Sequence, residues 1–542
     1  MTLRNARPVR FSPHTLSDSL DSTDGGERTG YMASLQNLIP DPTTEDVWTC
    51  RPGHVLQTNF SSFNTPTGVV VYKIIGSLVY GLVSTARTPN HDEPFCFNLA
   101  TQSFVTVSGV TSSNVPVTQS TLGDWVPPTM DLCGVNLVVT HPGFNGVTNF
   151  FGWFDTTNPL LPVWHAGNTT GLIVLTTVPT WVAQFSGRAW FGVNPSVGQP
   201  SAVFTDPLTL NVTNANQALT FGDNIPLTAG AGLPLSNQLG GVIQSLIVFK
   251  GTVNMYQITG DAAFSNLASN ALNVATGTLA PATICQSPLG LLFMAPDGIR
   301  YIDFDARVSE PVGVAGKGVN VPFIGPLYPS RACAACTAEV FRVTIQNSHI
   351  ATQPLQDFWY DLVRQVWSGP HTFVASGLDV YQNAFITTSP TVVGLFSGSV
   401  VPDIFSVATE NGAAMTWDFQ TSMLPDNGAM AMCEIAEMQV KATAVAGTPT
   451  MVVTAQDENG VAYGSVTYTF NIGTPSLWGT MVWGSGLWGG SSLALSPRQI
   501  SFSTPIMYSR LAINITGKST IGFRIGDVFI RERTLGFIQE VP

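Results

Sequence analysis

The stretch that most constrains this chain is Phe358-Trp359-Tyr360-Asp361-Leu362-Val363-Arg364-Gln365-Val366-Trp367-Ser368, because it has a near twin far upstream, Phe97-Asn98-Leu99-Ala100-Thr101-Gln102-Ser103-Phe104. Both read aromatic, Asp or Asn, Leu, two free positions, Gln, one free position, aromatic. Each reads as two short strands joined by a polar turn, since an Asp or Asn at a turn start bonds its own backbone two residues on. Looser versions stand at Trp153-Phe154-Asp155-Thr156-Thr157-Asn158-Pro159, at Val203-Phe204-Thr205-Asp206-Pro207-Leu208 and at Tyr301-Ile302-Asp303-Phe304-Asp305. Each is preceded by a further hairpin signal, at 72–80, 182–191, 246–253 and 291–299. Gly76, Gly187, Gly251 and Gly298 stand there to supply turns that need positive φ.

The unit is therefore about four strands, recurring roughly every fifty residues, the spacing of propeller blades. One such sheet cannot bury both faces alone, whereas copies arranged around an axis bury them and leave only short edges. The expectation is an all-β chain with a β-propeller of six or seven blades across 69–406, inside a domain spanning 55–406. An array of β-sandwiches would give hairpins at the same density. The repetition of turn residues along with hydrophobicity favours the ring.

At 542 residues there is material for more than one domain, and 51 Gly, 37 Pro and abundant Thr, Val and Ser suit a strand-rich fold. Charged residues are only 10% of the chain, which suggests a surface largely covered by neighbouring subunits. The net charge of −12, with no basic run, argues against gripping nucleic acid through its phosphates. Seven cysteines, odd in number and scattered, do not make a secreted disulfide framework. Cys333-Ala334-Ala335-Cys336 has C-x-x-C spacing, but no second pair completes a zinc set, so these residues read as small hydrophobes. Neither a secretory leader nor an apolar run long enough to span a bilayer is visible. The chain is expected to be made in a cytoplasm and to carry no membrane span.

Residues 1–54 read as an extended N-terminal arm that orders against something else; its removal is expected to leave a folded propeller. Within it lie Leu35-Gln36-Asn37-Leu38-Ile39-Pro40-Asp41-Pro42 and, just before the first blade, Arg51-Pro52-Gly53. This Leu-x-Asn-Leu-x-Pro segment followed by Arg-Pro-Gly resembles the tail nozzle (tail tubular) proteins of short-tailed bacteriophages. The blade stretch 246–261, then Leu279-Ala280-Pro281 and 289–303 with its Asp297-Gly298-Ile299-Arg300 turn, is similar to the same family. The resemblance covers about 37–314 and the general layout of the C-terminal region.

The region 407–542 is again strand-like but not blade-like. Its period-two stretches, at 436–442, 451–454, 462–470, 511–515 and 521–525, predict a β-sandwich-like domain of about seven strands. Inside it, Trp478-Gly479, Trp483-Gly484 and Trp488-Gly489 recur every five residues. So apolar a loop is either an anchor onto another subunit or an intramolecular tryptophan cluster capping the sandwich. The candidate interface residues are Trp478, Trp483, Trp488, Asn37, Pro40 and Pro42.

No nucleophile elbow, P-loop, dinucleotide fingerprint or H-E-x-x-H occurs, and no catalytic, cofactor-binding or metal-binding residue is assigned. His91-Asp92-Glu93 is a His beside carboxylates, expected to be a solvated blade loop. Asp303 and Asp305 share one face and could in principle hold calcium or form half of a glycosidase pair; the repeat makes them turn residues. What the family resemblance implies is a non-enzymatic virion protein, a homohexameric nozzle below the adaptor ring. It would have a channel for genome ejection, DNA passing without sequence-specific binding, and tail fibres or spikes attached nearby. The alternative is a propeller-type glycan-binding or glycan-hydrolysing tail spike.

Overall fold

The computed structural model describes residues 6–11, 15–16, 31–42, 44, 46–86, 90–118, 126–237, 241–261, 266–312, 323, 328–346, 355–400, 409–423, 431–444, 449–457, 459–470, 495–508, 510–519 and 523–537. Among them no helix is long and apolar enough to cross a membrane. The chain is all-β, and its larger part is a β-propeller. Among the described residues, antiparallel meanders of four strands occupy 66–105, 129–167, 181–220, 227–271 and 333–371, and a three-stranded one occupies 285–302. A seventh sheet is built from Gly377–Tyr381, Ala384–Thr388 and Gly394–Ser399, and its fourth strand is Val55–Asn59 from the other end of the chain. Numbering these sheets as blades 1 to 7 in chain order, with the last closed by 55–59, their innermost strands form a circle. Pro66–Ile75 lies against Thr129–Cys133, that strand against Trp181–Phe185, and that one against Leu227–Pro234. Blade 5 meets Leu227–Pro234 through Gly290–Ala295 and meets blade 6 through Cys285–Ser287. Cys333–Cys336 then touches Gly377–Tyr381, which returns to Pro66–Ile75.

The repeat seen in the sequence is the turn between the third and fourth strands. Asn98 Oδ1 accepts the N–H of Ala100 at 2.9 Å and of Thr101 at 3.4 Å. Asp361 Oδ1 accepts the N–H of Val363 at 2.9 Å and of Arg364 at 2.7 Å. The Gln of each copy closes the turn in the left-handed region, Gln102 at φ 52° and Gln365 at φ 58°. Asp155 and Asp303 hold their turns in the same way, on the N–H of Thr157 and on those of Asp305 and Arg307. The preceding hairpins, in contrast, are not equivalent. Those at 72–80 and 182–191 join first and second strands, whereas those at 246–253 and 291–299 join second and third. In the 182–191 hairpin Ser186 and Gly187 both have positive φ, the type I′ geometry that matches strand twist.

Mid-strand carboxylates stitch neighbouring blades. Asp131, third in Thr129–Cys133, accepts the N–H of Gln184 in blade 3 at 2.6 Å and Lys73 Nζ of blade 1 at 2.7 Å. Asp379, third in Gly377–Tyr381, accepts the N–H of Ile74 in blade 1 at 2.8 Å. Each also accepts the N–H of the residue after it, Leu132 and Val380.

The C-terminal region packs two sheets against each other. One runs in the order Tyr31–Gln36, Ala413–Thr421, Ala512–Ser519, Thr450–Gln456, Ala462–Thr469; the other runs Leu38–Pro40, Trp48–Cys50, Phe523–Phe537, Ala431–Ala444, Ser496–Ile500. Their inward residues, Met438, Val440, Ile513, Ile515, Ile525 and Val528 among them, share one core. Trp417 lies flat on the opposite strand at Gly517, where an added methyl would stand 2.2 Å from its ring, and it stacks on Phe523 at 4.3 Å.

The expected N-terminal arm is corrected here. Tyr31–Gln36, Leu38–Pro40 and Trp48–Cys50 are strands of the sandwich, with Met32, Leu35, Leu38 and Trp48 buried in its core. Ala6–Phe11 pairs with Phe523–Phe537. The arm's polar loops hid this, because its strands are short and its apolar residues satisfy sheets formed hundreds of residues later. Tyr31–Gln36 also meets the outer strand of blade 6 at Leu35 and Gly369, so blade 6 runs on into the sandwich. A chain starting at residue 55 should consequently lose its sandwich core and aggregate. Solubility and far-UV circular dichroism of the truncated protein check this, and a soluble β-rich product would show that the ring stands alone.

Candidate functional site at the junction of ring and sandwich

Between Trp48–Cys50 in the sandwich and Val55–Asn59 in blade 7 the chain crosses as Arg51-Pro52-Gly53-His54. This crossing gathers a set of buried ionisable groups. Arg51 and His54 have fully buried side chains. Arg51 Nη2 donates to Glu410 Oε2 at 2.5 Å, its Nε to Asn37 Oδ1 at 2.9 Å, and its Nη1 to the carbonyl of Pro52 at 3.0 Å. Glu410, in the short strand Thr409–Glu410, also accepts the backbone N–H of His54 at 2.9 Å, and Asn411 N–H donates to the carbonyl of His54 at 2.8 Å.

Arg342, from the second strand of blade 6, reaches the same point. Its Nε donates to Asp357 Oδ1 at 2.8 Å, and its Nη1 lies 2.7 Å from His54 Nε2. An arginine only donates, so Nε2 accepts from Arg342; the proton then sits on Nδ1 and goes to the carboxylate Glu410 Oε1 at 3.0 Å, while Arg51 Nη1, 3.2 Å from Nδ1, gives its hydrogen to the Pro52 carbonyl. His54 is neutral, and its ring stacks on Phe373 at 3.9 Å. Burial, reinforced by Arg342, pushes its pKa down to about 3. Asp357 further accepts from Thr344 Oγ1 at 2.7 Å and Trp359 Nε1 at 2.9 Å. Burial raises its pKa, opposed by Arg342. For Glu410, burial is the largest influence and pulls upward, but Arg51 and His54 outweigh it and hold the carboxyl at about 2. Two arginines and two carboxylates leave the cluster neutral, the condition under which buried charge is tolerated.

Asn37 completes the network. It has φ 57° and no exposed surface. Its N–H donates to His371 Nδ1 at 3.0 Å, and its side-chain nitrogen donates to Thr372 Oγ1 at 2.8 Å and to the carbonyl of Thr416 at 2.6 Å. His371 is therefore protonated on Nε2, facing Ser368 Oγ at 3.3 Å, and burial keeps its pKa well below the usual range.

Of the candidate interface residues, Asn37 is thus corrected to an internal one: it has no surface to offer a neighbour, because the turn it makes is satisfied entirely within the chain. Pro40 and Pro42 line a small groove with Ile39, Val340, Asp361 and Arg364, where the N-terminal segment crosses the end of blade 6. Trp478, Trp483 and Trp488 lie outside the described residues. His91-Asp92-Glu93 is also corrected. It lies in the strand His91–Asn98, and Asp92 is fully buried, accepting from Ser84 Oγ at 2.5 Å, Thr118 Oγ1 at 2.7 Å and His141 Nε2 at 2.8 Å. Ser84 donates to the Asp and not to the His, so this is a staple between blades 1 and 2, with no activated nucleophile. Asp303 is a turn residue, as its spacing predicts. Cys333 and Cys336 are buried on the innermost strand of blade 6, and burial raises both thiols, Cys333 to about 12. Among the described residues no group of three or more His, Cys, Asp or Glu is placed to hold a metal.

Sequence reasoning missed Arg342, Asp357, Glu410, Asp131 and Asp379. Charged residues inside strands are the signal that could have found most of them, since Asp is depleted there.

No protein-family model matches this chain, and no curated protein matches it. Solved structures with similar backbones include the β-propeller domain of the Trilobed protease from Pyrococcus furiosus, with an open velcro topology, at 9% identity and TM-score 0.35, covering 62% of this chain and 96% of that one. The Dos1 propeller has 11% identity and TM-score 0.33, covering 68% and 91%. An exo-β-1,3-galactanase from Phanerochaete chrysosporium has 9% identity and TM-score 0.25, covering 74% and 95%. Likeness at this level identifies neither a family nor a chemistry.

The junction makes stability pH-dependent with a definite sign. His54 titrates near 3 in the folded chain against an ordinary 6.5, so the unfolded chain takes up the proton first and stability falls as pH drops below about 6.5. Glu410, held near 2 against 4.5, contributes in full above 4.5 and loses its contribution as pH falls toward 2. Asp357 acts in the opposite direction, its raised pKa favouring the folded state on acidification. The net expectation, with His371 adding to His54, is a melting temperature that falls from pH 7 to pH 4, with His54→Gln flattening that slope. Glu410→Gln should cost about 3 kcal/mol at pH 7, the lower end for a broken buried pair because Glu410 keeps 21% of its side chain in solvent. Calorimetry across pH and urea unfolding check both.

Proposed function

We propose that this chain is a structural protein of a short-tailed phage virion: the tail nozzle, a homohexameric ring below the adaptor protein, with a channel for genome ejection and surfaces for tail fibres or spikes. The observation that carries this reading is that residues 31–59 run through both sheets of the sandwich and then close the propeller, so ring and sandwich are welded into one body. A part that transmits load needs such a weld. The carboxylates weighed as possible chemistry, Asp92 and Asp303, are engaged in a staple and a turn, which fits a protein working by shape. Low charge and an acidic balance suit a conduit, because DNA carries one negative charge per ~1.7 Å of axis and must slide without being held.

The test is electron microscopy of the purified protein and of particles, together with a glycan-binding and glycan-turnover screen. Six-fold rings with no glycan activity support the nozzle. Saturable binding or turnover of a glycan, without rings, would replace it with a receptor-recognising tail spike. Replacing Trp478, Trp483 and Trp488 together by Ala should weaken assembly more than thermal stability, read by sedimentation and by melting; equal loss of both would assign the tryptophans to the chain's own interior.

A further inference from the structure

The strand that closes the ring is weakly held along its length and strongly held at its two ends. Val55–Asn59 pairs with Gly394–Ser399 through a shifted register, and Val55 is 60% exposed. None of its five residues is buried. Immediately after it, Phe60 is fully buried in blade 1, edge-on to Phe95 at 4.9 Å and to Phe104 at 5.5 Å. Immediately before it, residues 51–54 are enclosed between Arg342 and Phe373 of the ring and Thr409–Glu410 with Asn411 of the sandwich. The backbone of Gly53 approaches so close to Thr409 that an added methyl would stand 1.6 Å from the Thr409 carbonyl oxygen. Thr409–Glu410 in turn pairs with Ala413 and Ala414, the start of the sandwich strand Ala413–Thr421.

We propose that the sandwich is the lock on the ring: Glu410, by holding Arg51 and His54, keeps the strand 55–59 in blade 7, and the ring opens at this seam when the sandwich strand 413–421 comes away. The geometry gives the direction of the coupling. With Phe60 anchored in blade 1, the strand has one fixed end inside the ring. Its other end is held from the ring by Arg342 and Phe373, on the His54 ring, and from the sandwich by Glu410, which pairs with Arg51 and His54. Displacing Glu410 leaves Arg51 as an unpaired buried cation, so 51–54 is driven toward solvent and draws Val55, already exposed, out with it. Ring closure is thereby made conditional on sandwich docking, which a propeller closed by a strand of its own last blade would not require.

Hydrogen exchange in rising, sub-denaturing urea tests this on the full unsubstituted chain. The amides of 55–59 and 394–397 should lose protection at the same urea concentration as those of 413–421, and before those of Leu137, Val138 and Val139 in blade 2. Loss at the seam well below the sandwich would mean that the strand frays independently; loss only together with blade 2 would mean global unfolding. Either overturns the lock. In Glu410→Gln the seam amides should exchange at least roughly tenfold faster. No change at the seam likewise overturns it. A cysteine pair at the register partners Val55 and Ser397, placed in the Glu410→Gln background, should restore seam protection when oxidised and lose it on reduction. If protection at the seam is the same in both redox states, the lock is wrong. Should Glu410→Gln not fold, the urea series decides alone.

Discussion

The pairing of Arg51 with Glu410 inside the protein is the interaction on which the rest of the architecture leans. A guanidinium with no exposed surface is costly unless it is paired and hydrogen-bonded, and here Glu410, Asn37 and the Pro52 carbonyl accept from it. Arg342 repeats the arrangement one step away with Asp357, and the neutral His54 sits between the two pairs, receiving from one and giving to the other. Because the groups come from the N-terminal crossing, blade 6 and the strand 409–410, the network exists only when ring and sandwich are both folded and docked. It adds a polar link to the hydrophobic core that blades 5 and 6 already share with the sandwich.

The ring itself rests on a different economy of polar groups. Its third-strand turns are closed by Asn98, Asp155, Asp303 and Asp361 bonding to backbone within a few residues, so each turn forms from local sequence. Neighbouring blades are then joined by Asp131 and Asp379, which accept backbone N–H groups of the next inner strand. Apolar surfaces such as Phe151 on Phe191 and Tyr80 near Phe154 fill the space between blades. Local turns set the shape of a blade, and carboxylates and aromatics set its angle to the next.

This distribution bears on function. The chain has few charges, and some of them, Arg51, Arg342, Asp357 and Asp92 among them, are buried at the junction and between blades. A low charge content suits packing against other copies or neighbouring proteins. It suits a polyanion passing by, and does not suit holding one. The proposed nozzle role fits a molecule whose strongest interactions preserve a fixed relation between a ring and the sandwich beside it.

Sequence alone determined the things that depend on neighbours in the chain. The recurrence of an Asp or Asn, then Leu, then Gln between aromatics specified a turn and, by repetition, a ring of sheets. Alternation at 436–442 specified a strand with Met438, Val440 and Ala442 inward. Tertiary structure decided what depends on distant partners. It put Tyr31–Gln36, Leu38–Pro40 and Trp48–Cys50 in a sandwich whose other strands begin after residue 400, and it took the last blade's fourth strand from 55–59. It turned Asn37 from a presumed surface residue into a buried hub. The reason is physical: a short strand carries its own propensity, but its pairing partner is chosen by where hydrogen-bonding edges and apolar faces remain open once everything else has folded. The partners Arg51 and Glu410, separated by more than half the chain, have no local signature of one another.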